Sequence, residues 1–83
     1  MGNATAYAVV PTQGMYGSGD TVRVARTSGS LARAREVAQR LTRSYRNMMD
    51  PYGSSSGGYR VIAWGQTSRT ISGYDLDRTP DAR

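Results

Sequence analysis

Cysteine, histidine and lysine are all absent from this chain of 83 residues. Without cysteine there can be no disulfide, no thiolate metal site and no thiol nucleophile. Without histidine the usual neutral-pH base and a common zinc ligand are missing. With lysine gone as well, only carboxylates are left to activate a serine or threonine hydroxyl. No run is long and apolar enough to span a bilayer. Residues 1–10 lack the basic-then-apolar pattern of a secretory signal, so a cytoplasmic protein is expected. The length corresponds to one small domain with a thin core, burying about two-thirds of its unfolded surface. Such a domain gains stability by packing on a copy of itself or on a partner, so monomer and homodimer both remain open.

What the chain does have is arginine. Its formal net charge is +5, from 11 basic and 6 acidic residues, and every basic residue is arginine. Guanidinium groups are planar, multi-donor and weakly hydrated, and they suit phosphates and carboxylates. The balance points to a nucleic acid or an acidic protein face as partner, and away from mimicry of DNA by negative charge. Five arginines fall in residues 30–50, where Leu31, Ala34, Val37, Ala38, Leu41, Tyr45 and Met48 recur at helical spacing. This predicts an amphipathic helix with Ser30 as N-cap, a Glu36–Arg40 pair one turn apart, and an end near Asp50 imposed by Pro51.

Strands are expected on both sides of this helix. Residues 4–10 read as a strand stopped by Pro11. Residues 12–20 read as a glycine-bearing loop. Residues 21–26 alternate strictly and suggest a half-buried strand, hairpinned with the first. Residues 53–58 (GSSSGG) read as a flexible connector. Residues 59–64 (YRVIAW) form the most strand-like run, 65–68 a turn, and 69–76 a weaker strand interrupted by Gly73. The pattern predicts an α+β domain over residues 1–76, with an antiparallel sheet of about four strands and one helix across one face. Residues 77–83 are expected to form a polar, flexible tail. No internal repeat or second domain is seen.

Each candidate site has a competing structural explanation. The helix arginines suit a polyanion-binding face, but they fan around the wheel, as on a solvated exterior. Tyr59, Trp64 and Tyr74, with Arg60 and Arg69, have the residue types of a base-stacking platform. Yet alternation puts Tyr59, Val61 and Ala63 on one face and Arg60, Ile62 and Trp64 on the other, and one set must pack under the helix. Core packing or a protein interface is therefore the stronger expectation, with Arg60 and Trp64 as a contact pair. The loop of residues 14–19 leads into a strand, not a helix N-terminus, so it is read as a turn and not a phosphate cradle. Met15 and Tyr16 at its tip suit an exposed anchor. Asp75 and Asp77 have the spacing to share a hard cation but lack a third carboxylate nearby, so no metal site is expected. Glu36 is flanked by arginines and makes a poor base. No catalytic residues, cofactor or metal are expected, and the chain is not read as an enzyme.

The layout resembles that of several small phage-encoded anti-CRISPR proteins that inhibit type I systems. The likeness runs over residues 4–76. It lies in the first strand, the glycine-rich loop, TVRVA at residues 21–25, the alanine-rich SLARAREVA at residues 30–38, and a closing hairpin. It is a likeness of element order and residue character without a defining motif, and no residue role is carried over. The insertion at residues 53–58 and the long second half of the helix depart from it. The resemblance implies an inhibitor acting in the cytoplasm of a bacterial host cell. It would bind a protein subunit of a type I CRISPR effector complex, with possible nucleic-acid backbone contact, and block target DNA by occupancy. The expected contacts are Arg23, Arg60 and Trp64 from the sheet and Arg33, Arg40 and Arg43 from the helix. The rival readings are a small basic nucleic-acid-binding protein and a phage virion or assembly component.

Overall fold

The computed structural model describes residues 6–49, 57–65 and 68–83. Three strands form the central antiparallel sheet: β1 (Ala6–Pro11), β3 (Arg26–Ser28) and β4 (Tyr59–Trp64), in the order β3-β1-β4. Helix α1 (Leu31–Met49) packs across one face. A two-stranded antiparallel ribbon, β2 (Thr21–Arg23) with β5 (Thr70–Ser72), covers the other face together with the short helix α2 (Gly73–Arg78). The protein is therefore α+β, with one main helix on an antiparallel sheet.

Alternation along the central strands builds two cores. In β1 the continuous apolar run Ala8, Val9, Val10 is buried throughout, as expected of a strand covered on both faces. β1 and β4 pair with Val9 opposite Val61, Ala8 opposite Ile62 and Ala6 opposite Trp64. Val9 and Val61 therefore face α1, where they meet the fully buried Ala34 and the nearly buried Ala38. These two alanines are one helical turn apart, and their small side chains let the helix backbone approach the sheet. Ala8, Val10, Ile62 and Trp64 face the other way and pack with Val22, Val24 and Leu76.

The segment expected to be one strand is split between the two sheets. Thr21–Arg23 pairs with β5. The Val24 N–H then donates to the Arg69 carbonyl, and the next residue, Ala25, donates to Val9, both at 2.9 Å. Arg26–Ser28 continues along β1. The first two expected strands therefore do not form a simple hairpin. The alternation of Val22 and Val24 was legible, but it says only which side is buried and leaves the hydrogen-bonding partner open.

A second correction lies at residues 69–76. The strand ends at Ser72, whose hydroxyl accepts the Asp75 N–H at 3.1 Å and caps α2. The signal was present as Ser72 followed three residues later by an acid, with Leu76 placed to be buried. The boundary expected after residue 76 falls inside this helix. Beyond it, the Ala82 N–H donates to the Val61 carbonyl at 2.8 Å, so the segment expected as a flexible tail is hydrogen-bonded to the free edge of β4.

Ser30 caps α1 as expected. Its hydroxyl accepts the Arg33 N–H at 3.2 Å, and its carbonyl accepts the Ala34 N–H at 3.0 Å. Thr42 then ties the middle of α1 to β4, its hydroxyl accepting the Tyr59 N–H at 2.8 Å. The expected helix stop at Asp50–Pro51, residues 53–56 of the connector and residues 66–67 of the turn lie outside the described residues.

Gly73 marks the tightest approach between layers. Its N–H donates to the Asp20 carbonyl at 2.8 Å, and a Cβ there would collide with the Gly17 and Ser18 carbonyl oxygens. In an open helix, Gly→Ala would stabilise by about 1 kcal/mol. Here Gly73→Ala is expected to destabilise by about 1–3 kcal/mol through overpacking, measured as a lower urea midpoint.

Candidate polyanion-binding face

The structure does not bring the six expected contact residues together. Trp64 is only 4% exposed, and its indole N–H donates to the Ser68 carbonyl at 3.1 Å. Arg60 has a side chain 19% exposed, and both its terminal nitrogens are engaged, with Asp81 at 2.8 Å and the Leu76 carbonyl at 2.7 Å. Both start from the β4 face covered by the ribbon and α2 and are engaged within the fold, although Arg60 also lines the groove between α1 and β4. Arg23 is exposed on β2, across the central sheet from α1. Only Arg33, Arg40 and Arg43 share one exposed element.

The aromatic platform is likewise dispersed. Tyr59 packs with the α1-side core, Trp64 with the opposite core, and Tyr74 is exposed on α2. Met15 and Tyr16 do not form an exposed anchor. The Tyr16 hydroxyl donates to Asp77 at 2.7 Å while its ring packs against the ribbon-side core, and the Met15 sulfur accepts the Gly58 N–H at 3.2 Å.

The arginine fan on α1 resolves into two flanks once the sheet beneath it is in place. On the β3 side, Arg33 and Arg40 face Arg26 across a cleft of about 370 Å³ floored by Val9 and Val37. On the β4 side, Arg35, Arg43 and Arg46 edge a groove of about 720 Å³ floored by Ala38, Tyr59, Val61 and Ala82. The Arg46 Nε donates to the Gly57 carbonyl at 3.1 Å, and Arg35 makes a long contact of 3.4 Å to the Ala82 carbonyl. Both side chains therefore reach across the groove. Arg26 was not singled out in the sequence, and Arg35 and Arg46 entered only as members of the helix fan and not as expected contacts, because the flanks exist only relative to the sheet. Helical spacing nonetheless separates the Arg33/Arg40 row from Arg35 and Arg46.

Carboxylates are scarce on this side. α1 carries Arg33, Arg35, Arg40, Arg43 and Arg46 and a single acid, Glu36. The Glu36–Arg40 contact is 4.0 Å between exposed side chains, worth about 0.3–0.5 kcal/mol, and leaves Arg40 available. Asp77 and Asp81 are engaged by Tyr16 and Arg60. Among the described residues no group of three potential metal ligands exists, and no helix is long and apolar enough to cross a membrane.

No family model, curated protein or solved structure matches this chain. Its function must therefore be argued from the arginine flanks themselves.

Two outcomes follow from the contrast between engaged and free groups. Arg60→Ala should destabilise by about 1–2 kcal/mol, because bonds to a carboxylate and a carbonyl are lost at a partly exposed site. Arg43→Ala should stay within about 0.5 kcal/mol of the parent, as exposed substitutions do. Urea denaturation measures both.

A third outcome concerns Tyr16, whose hydroxyl pKa is held above the ordinary value of 10.0. Burial is the larger cause; the hydrogen bond to Asp77 and its negative charge add to it, and Arg60 opposes it. Because the folded state holds this proton more tightly, the associated stability is intact below about pH 10 and lost as pH rises through the folded value. Urea midpoints measured from about pH 8 to 11 should fall at the alkaline end, and fall less in Tyr16→Phe.

Proposed function

We propose that this protein is a non-catalytic binding protein that holds nucleic acid against the outer face of α1. The observation that carries this reading is the pair of arginine-edged grooves flanking α1, with Glu36 the one acid on that helix. Guanidinium groups spread along both sides of a helix can each neutralise a phosphate, releasing condensed counterions without any chemical step. Binding acts by occupancy, and the thin domain serves as a rigid mount for the helix.

A more specific form of the reading is an inhibitor that uses the same face to block target DNA on a type I CRISPR surveillance complex. The strand-flanked, alanine-rich helix favours it. The split second strand and the added α2 depart from the layout that suggested it.

Gel shifts with DNA and RNA at two salt concentrations test the general reading. With about four to six phosphate contacts, affinity should fall roughly 10²- to 10³-fold between about 50 and 200 mM salt. Absence of binding at low salt would refute it. Mixing the protein with type I effectors and measuring target-DNA binding tests the specific form, and unchanged binding would remove it.

A further inference from the structure

We infer that the groove between α1 and β4 is a seat for single-stranded nucleic acid, with phosphates held by Arg35, Arg43 and Arg46 and a base lying against Tyr59. The inference rests on the reading above and narrows it to one flank and one form of ligand. This groove combines three features that the β3-side cleft does not. Its floor holds an aromatic ring, Tyr59, which is only half-buried. Its wall carries two amides, Gln39 and Asn47, able to hydrogen-bond base edges. Of the three α1 arginines that edge it, Arg46 and Arg35 contact the Gly57 and Ala82 carbonyls, so their side chains are directed before any ligand arrives.

Arginine carries five N–H donors, and the contacts from Arg46 and Arg35 each use one. Among the described residues the Arg43 side chain makes no hydrogen bond or ion pair, and it sits between the other two along the helix. The one acidic side chain lining the groove, Asp81, is paired with Arg60 at 2.8 Å, which offsets its repulsion of a phosphate. A base must leave its stack to reach a ring set in a groove, and that favours a single strand over a duplex. The volume of about 720 Å³ is ample for a nucleotide-sized group.

The test is fluorescence anisotropy with a labelled oligothymidine of about twelve nucleotides and a duplex of the same length, at matched salt. The single strand should bind more tightly. Tyr59→Leu should weaken the single strand about 5- to 150-fold, the range for one stacked base, and leave duplex affinity unchanged. Tyr59→Phe, which keeps the ring, should retain binding. Arg43→Gln should weaken the single strand more than Arg40→Gln on the opposite flank. Equal affinity for the two forms, or single-strand binding indifferent to a folded Tyr59→Leu, overturns the inference while leaving the general reading intact. If Tyr59→Leu does not fold, the arginine pair decides: equal losses at Arg43 and Arg40 count against the groove. Failure of both probes to bind at any salt removes both readings.

Discussion

The fold depends on β1 being covered on both faces. Ala8 and Val10 are fully buried against the ribbon layer, and Val9 is 1% exposed beneath α1. Each of the two buried valine side chains contributes about 1.5–3 kcal/mol. In a domain this small, that strip and its register with β4 hold both cores in one frame. A slip of β4 by one residue against β1 would turn Val61 away from the helix and drive Ile62 and Trp64 toward it, leaving Val9 without its partner. The close approach of Ala34 and Ala38, the clamp by Thr42 and the direction of every arginine on α1 all follow from that register.

The arginines divide by what lies beneath them. Arg60 sits where β4, α2 and the C-terminal segment converge, and its guanidinium is engaged by Asp81 and the Leu76 carbonyl. Those on α1 project from a helix whose buried stripe is satisfied by the sheet, and they find one acid for five guanidiniums. One residue type thus acts as an internal clamp at Arg60 and as exposed positive charge along α1. The one acidic side chain beside the α1–β4 groove, Asp81, is instead committed to Arg60.

Local and periodic features were readable from the residues alone. The stripe Leu31–Ala34–Ala38–Leu41 announced α1, Ser30 announced its cap, and the alternation of YRVIAW sorted Val61 from Ile62 and Trp64. Non-local features were not readable. Nothing in TVRVARTS says that its first half pairs with residues 70–72 and its second half with β1, because hydrogen-bonding partners leave no mark in side-chain periodicity. The same limit hid the burial of Trp64 and the engagement of Arg60, since both depend on which layer covers the far face of β4. The α2 cap at Ser72 was visible as a pattern, but Gly73 read more simply as an interruption in a strand.

Mapping amide chemical shifts while adding a single-stranded oligonucleotide tests the central claim most directly, because it reports where the ligand sits without altering the protein. The account predicts that the perturbed amides cluster along residues 33–47 of α1 and residues 57–61 leading into β4. Shifts confined to β2, β5 and α2, or none at saturating oligonucleotide, would contradict it.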